Sequence, residues 1–166
     1  MRTDSLRIFD CNLRQAFYSA EILDTSLQLA NVLKVNDEEL PVIADLLAIK
    51  GDEASVLGQL EQRYSRLRLI ALTRGGAGSL LYSRGRSAIH GGFPATVADT
   101  VGAGDAFAAA LSLGLLKGWA LEKINESANR VAAWVCSRHG ATPELPRELC
   151  AFFDLKCYTE GVQPQP

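Results

Sequence analysis

Apolar residues recur along this chain in two rhythms, and the alternation between them predicts the architecture. Residues 6–9 form a short β-prone run that ends in polar Asp10-Cys11-Asn12, and over 19–30 Ile22, Leu23, Leu27 and Ala30 fall at helical spacing. A second strand over 32–35 is closed by Asn36. Glu39, Leu40, Ile43, Leu46 and Leu47 then mark another amphipathic helix, whose first turn tolerates Pro41. Gly51-Asp52 breaks that helix, a third spans 53–64 with Val56, Leu57 and Leu60 on one face, and residues 67–73 are the most strand-like run in the chain. Strands alternating with helices in this way imply a parallel sheet.

The pattern then changes. A turn at 74–77 leads to a strand over 79–83, a tight turn at Arg84-Gly85-Arg86 and a returning strand over 87–90, which reads as an antiparallel edge. Beyond a loop containing Gly91, Gly92 and Pro94, a small-residue helix runs to about residue 117 and is capped by Gly118. A second long helix over 121–137 stops at His139-Gly140, and Pro143 and Pro146 lead to a short last helix. Residues 159–166 are expected to be a flexible tail.

Length and composition narrow the classes. The 166 residues fit one domain, and 48% hydrophobic with 22% charged residues excludes a disordered or fibrous chain. With 17 basic against 19 acidic side chains the net charge is −2, without the basic excess that nucleic-acid binding draws on. The longest apolar stretch, residues 106–116, is too short to span a bilayer, and the first residues carry no apolar signal segment, so a cytoplasmic protein without a membrane partner is expected. Cys11, Cys136, Cys150 and Cys157 form no C-x-x-C pair and have only His90 and His139 to join them, so they read as free thiols rather than a zinc site.

The strongest candidate for chemistry is Gly102-Ala103-Gly104-Asp105, a glycine-rich turn placed just before the small-residue helix. Such a turn lets backbone N–H groups converge, and the helix start adds its unpaired donors and positive dipole end, so the segment suits a phosphate. Asp105 beside it suits a base acting on an attacking hydroxyl. The same residues would also serve as a tight loop with an acid in the first helical turn. Neither a Walker A loop nor the dinucleotide G-x-G-x-x-G pattern is present.

Residues 99–110, Asp-Thr-Val-Gly-Ala-Gly-Asp-Ala-Phe-Ala-Ala-Ala, resemble the C-terminal signature of the ribokinase-like (PfkB) carbohydrate kinases, D-T-x-G-A-G-D followed by small residues. Other segments agree in order. Asp10-Cys11-Asn12-Leu13-Arg14 resembles the D-P-N-x-R segment of fructokinase-like and ketodeoxygluconate-kinase-like members, with Cys11 in place of proline. Asn36-Asp37-Glu38-Glu39 resembles N-x-x-E, residues 73–78 resemble T-x-G-x-x-G, and Asn129 with residues 138–141 resembles the closing helix and R-x-G-A segment. The resemblance covers residues 6–150.

The resemblance implies a three-layer α/β/α fold with an open, mostly parallel sheet, of which residues 1–158 would be the C-terminal, ATP-binding half; the sugar-binding half and β lid have no counterpart. It implies ATP and Mg²⁺ as cofactors, Asp105 as catalytic base, and Gly102, Ala103 and Gly104 as the anion hole. Asn36, Thr73, Gly75, Gly78 and Asn129 would bind ATP, and Glu39 would serve the water shell of Mg²⁺. Asn12 and Arg14 would meet substrate or phosphate, tilting the acceptor toward a fructose-like sugar or a keto-sugar acid. Asp99, Val101, Val135, Arg138 and Gly140 would hold a monovalent cation such as K⁺, although Glu144 stands where the family has a small polar residue. Read alone, Asn36 with Glu39 is also a helix capping box, Asn129 a polar spot on a helix, and Arg14 a solvated loop residue. Three functions stay open: a sugar kinase, a nucleotide-binding module without turnover, and a chain whose missing half another chain supplies; a homo-oligomer is a further possible assembly.

Overall fold

A computed structural model describes residues 5–15 and 17–155; the expected tail at 159–166 and Cys157 lie outside them. Twelve elements follow in order: β1 (Ile8–Asp10), α1 (Ala20–Leu29), β2 (Val32–Asn36), α2 (Glu39–Leu46), α3 (Glu53–Arg63), β3 (Leu69–Thr73), a 3₁₀ turn (Gly75–Ala77), β4 (Ser79–Ser83), β5 (Arg86–His90), α4 (Ala103–Leu116), α5 (Leu121–Cys136) and α6 (Arg147–Phe152). The strands form one sheet in the order β1-β2-β3-β4-β5. β1, β2 and β3 run parallel, and β4 pairs antiparallel with both β3 and β5, which bears out an α/β sheet with an antiparallel edge.

The alternation within β2 and β3 explains the layers. Leu33 and Val35, with Ile70 and Leu72, point to one side and pack with Leu23 and Leu27 of α1, Ile43 of α2, and Leu57 and Leu60 of α3. Val32, with Leu69 and Ala71, points to the other side, against Phe107 and Leu111 of α4 and Ile124 and Ala128 of α5. Both strands are covered on both faces, as a parallel sheet flanked by helices requires. Ser19 caps α1 by accepting from the Ile22 N–H, and Asp52 caps α3 by accepting from the Ser55 N–H. The β4–β5 hairpin turns on Arg84 and Gly85, both at positive φ, the geometry whose twist matches its flanking strands.

β1 begins two residues later than the apolar pattern suggests and reaches Asp10. Its ladder with β2 pairs Asp10 with Lys34, and the Lys34 ammonium lies 2.8 Å from the Asp10 carboxylate, so a polar residue continues the strand. β3 likewise starts at Leu69, because the Leu67 N–H closes a turn onto the Tyr64 carbonyl. No helix among the described residues is long and apolar enough to cross a membrane.

Candidate functional site

The C-terminal ends of β2 and β3 and the start of α4 converge on one region. Asn36 and Thr73 are register partners at those strand ends. Gly102 precedes α4 at φ +81, and a Cβ there would run into the Ala141 carbonyl, so glycine is required both by conformation and by space. The first-turn N–H groups of α4 have no acceptor within their own helix, and that of Ala103 makes a long 3.4 Å bond to the Thr100 carbonyl. Ala103 and Gly104, in that turn, line a cavity of about 520 Å³ together with Thr73, Gly75, Gly78 and Asn129. Gly78 is also obligatory: at φ +85, its Cβ would collide with the His90 carbonyl across the hairpin. Phe93, Pro94, Val97, Ala132, Ala133 and Cys136 supply the apolar wall of the same cavity.

Asp105 lies in the first turn of α4. It is solvent-exposed and opens onto a second, apolar cavity of about 380 Å³ lined by Ala106, Ala109, Leu113 and Val135. The start of α4 therefore stands between two hollows: Ala103 and Gly104 line one, and Gly102 lines the other together with Asp105.

Lys34 was not singled out from sequence, and it changes the electrostatics of this region. Two residues after Val32 in β2, it shares that residue's face and points to the α4 side, where it is 8% exposed. Its ammonium pairs with Asp10 and lies 3.5 Å from where a Cβ on Gly104 would sit. A cation thus stands directly behind the glycine turn. The available signal was a lysine on the buried face of an otherwise aliphatic strand.

The remaining expected residues are deployed as follows. The Asn36 Oδ1 accepts from the N–H groups of Glu38 (3.0 Å) and Glu39 (2.7 Å), and one oxygen of Glu39 accepts from the Asn36 N–H at 2.9 Å, a reciprocal capping box. The other Glu39 oxygen accepts from the Leu13 N–H at 2.9 Å. Each oxygen keeps one lone pair for water. Asn129 is buried, and its amide nitrogen donates to the Ser79 hydroxyl at 2.7 Å and to the Asn125 carbonyl at 2.8 Å, which fixes the amide at the cavity wall. Asn12, at φ +40, and Arg14 sit on the loop after β1, where the Arg14 Nε donates to the Asn12 side-chain Oδ1 at 3.2 Å.

Asp99 ties two loops together, accepting from the Val101 N–H at 3.0 Å and the Gly140 N–H at 3.2 Å. Those two bonds hold its carboxyl below the usual range. Asp99, Val101 and Gly140 are thereby brought side by side. The Val135 carbonyl already accepts the Arg138 N–H, and the Arg138 guanidinium lies over the Trp134 ring at 4.1 Å. Glu144 turns its backbone to this end of the molecule, its carbonyl accepting from the Trp134 indole at 3.0 Å. No group of three or more His, Cys, Asp or Glu side chains able to hold a metal occurs among the described residues. A Mg²⁺ ion here would fit the pattern in which phosphates and waters supply most of the ligands. Cys11, Cys136 and Cys150 are free thiols.

The pfkB family carbohydrate kinase model matches residues 2–148. The chain belongs to that family. It is 32% identical over 149 residues to a fructokinase of Salmonella typhimurium, covering 83% of this chain and 47% of that one. Among solved structures, a Burkholderia thailandensis nucleoside kinase in complex with inosine superimposes with a TM-score of 0.74 at 25% identity, covering 89% of this chain and 47% of that chain. An Escherichia coli protein described as a ribokinase II, in complex with ATP and Mg²⁺, superimposes with a TM-score of 0.71 at 20% identity over 88% of this chain and 47% of that one. The pfkB chain described here thus spans about half the length of the curated relatives it matches.

Proposed function

We propose that this pfkB chain carries the ATP site, the anion hole and the catalytic base of an ATP-dependent sugar kinase. The observation that supports this reading best is the start of α4. Ala103 and Gly104 of its first turn border the cavity lined by Thr73, Gly75, Gly78 and Asn129, while Gly102 and Asp105 border the second hollow. A nucleotide in the first cavity would lay its terminal phosphate against the N–H groups of Gly102, Ala103 and Gly104, and a hydroxyl arriving on the other side would meet the carboxylate.

In this reading Asp105 accepts the proton of the acceptor hydroxyl as that oxygen bonds to the γ-phosphorus and the bond to the departing ADP oxygen breaks. The three N–H groups, with Lys34 behind them, stabilise the charge that spreads over the transferring phosphoryl oxygens. Mg²⁺, when bound with the nucleotide, screens the phosphates. Asn36 and Glu39 stand at the strand ends where its water shell would lie, and Asn12 and Arg14 face the acceptor, a fructose-like sugar or a keto-sugar acid. Asp99, Val101, Val135, Arg138 and Gly140 form the candidate site for K⁺, and the setting is the cytoplasm.

A second reading, a nucleotide-binding module without turnover, has its own support. Among the described residues β1 pairs only with β2, leaving its outer edge open, and the chain spans half of its relatives. The acceptor would then need a further half, in the same polypeptide or from a partner, to hold it in line with the phosphate.

Calorimetry with Mg-ATP and phosphoryl-transfer assays on a panel of sugars, with Asp105→Ala alongside, decide between these. The kinase reading expects ATP binding that survives the substitution and turnover that falls by about 10²–10⁴-fold. Binding with no transfer to any sugar favours the module, unchanged turnover in the variant removes Asp105 from the base role, and absence of binding sinks both.

A further inference from the structure

A capping box needs one carboxylate oxygen, and Glu39 uses two. Its Oε2 accepts from Asn36 three residues upstream, which completes the box, while its Oε1 crosses 26 residues of sequence to accept from the Leu13 N–H at 2.9 Å. The residue is 9% exposed, so both bonds lie largely within the protein. Leu13 lies in neither a strand nor a helix and follows Asn12, whose φ of +40 is uncommon for a side-chain-bearing residue. A loop in that conformation needs fixing from outside. Upstream, the Cys11 N–H donates to the Lys34 carbonyl at 3.0 Å, and Asp10 pairs with the Lys34 ammonium. Beyond Cys11, the Glu39 oxygen ties the loop backbone to the start of α2, while the Leu13 side chain packs against the core.

We infer that Glu39 is a positioning residue that clamps the 10–14 loop, with Asn12 and Arg14, onto the strand ends beside the glycine turn. The clamp follows from the hydrogen bonds alone; its consequence for catalysis rests on the kinase reading. The capping role and the clamp make different demands on the side chain. A capping box accepts glutamine as readily as glutamate. The clamp does not, because glutamine offers a single acceptor oxygen and would turn its NH₂ toward the second backbone N–H. Glu39→Gln therefore keeps the box and releases the loop. Glu39→Asp, shorter by one methylene, is expected to do the same.

Amide hydrogen exchange of the full chain, followed by NMR, reads the clamp without any ligand. In the wild type the Leu13 amide is expected to be protected although it lies outside regular structure. In Glu39→Gln it should exchange about 10-fold faster while the Asn36 amide keeps its protection. An unprotected Leu13 amide in the wild type overturns the clamp even if no variant folds, and so does an unchanged rate in both variants. A second arm titrates ATP at several Mg²⁺ concentrations. Parallel Mg²⁺ dependence in wild type and Glu39→Gln supports a role through the loop, whereas an altered dependence reassigns Glu39 to the metal's water shell. If ATP binds neither protein, the kinase reading fails and the exchange result stands apart from it.

Discussion

Cys11 stands where related segments carry proline, and its surroundings make it a poor nucleophile. Burial, most of all, and then the neighbouring carboxylates of Glu39 and Asp10, against the opposing Lys34 ammonium, together raise the thiol pKa from its ordinary 9.0 to about 12. The unfolded chain loses this proton near pH 9, while the folded chain holds it to about 12. The unfolded state therefore binds fewer protons in that window, and stability falls as pH rises through it. Below pH 9 both states are protonated and Cys11 contributes no slope. Tyr64, whose hydroxyl donates to Asp24 at 2.7 Å and whose pKa is also raised by burial, adds a similar loss above its ordinary value of 10.0. Cys11→Ala should thus flatten urea-derived stability against pH by up to roughly 1.4 kcal/mol per pH unit between pH 9 and 12, leaving the Tyr64 contribution in place. Equal slopes in wild type and variant would show that the thiol does not titrate as its burial requires. In the wild type at pH 7.5, the same environment predicts slow labelling of Cys11 by thiol reagents.

Among the elements, α5 is the most tightly bound to the sheet by polar contacts. Asn125 donates to the Ala88 carbonyl at 2.8 Å and the Ser79 carbonyl at 3.2 Å, and its own oxygen accepts from the Ser79 hydroxyl. One turn later, Asn129 donates to that hydroxyl, so two asparagines at i, i+4 lock one helix face to β4 and β5 beneath the larger cavity. Because these groups are buried, Asn129→Ala leaves partners unsatisfied, and a loss of about 1–3 kcal/mol is expected, visible as a lower melting temperature without any nucleotide. Unchanged melting together with weakened ATP binding would instead make Asn129 a ligand contact alone. This polar lock was hidden in the sequence, where Ser79 and Asn129 stand 50 residues apart. Features within one element were legible: helical spacing gave α1 to α3, and the contiguous turn before α4 gave Gly102 and Asp105. Features formed between elements were not. Lys34 looked like one polar residue in an apolar strand, and the reach of Glu39 to Leu13 follows from the packing of β1 beside β2, which no local pattern encodes.

For the molecule as a whole, the open side of the sheet carries the largest consequence. β1 is three residues long and leaves one row of backbone N–H and C=O groups unpaired among the described strands, the arrangement that recruits another strand. α1, which follows it, presents Ile22 and Leu29 to solvent at 52% and 51% exposure, and Phe17 just before α1 is 81% exposed. Ile22 and Leu29 lie seven residues apart on one helix face, so they form a stripe rather than scattered positions. On its own, this chain is expected to self-associate as its concentration rises from micromolar to millimolar. Ile22→Lys combined with Leu29→Lys should shift that association to higher concentration with little change in melting temperature, since neither side chain contributes to the core. Sedimentation velocity across that range, with circular dichroism to confirm the fold, is the test. Self-association that ignores the double substitution would point to a sheet edge, at β1 or at β5, and a monomeric wild type at every concentration would mean that none of these surfaces seeks a partner. The distinction matters for function, because a half-sheet that recruits copies of itself would block the edge that a substrate-binding half would need to use.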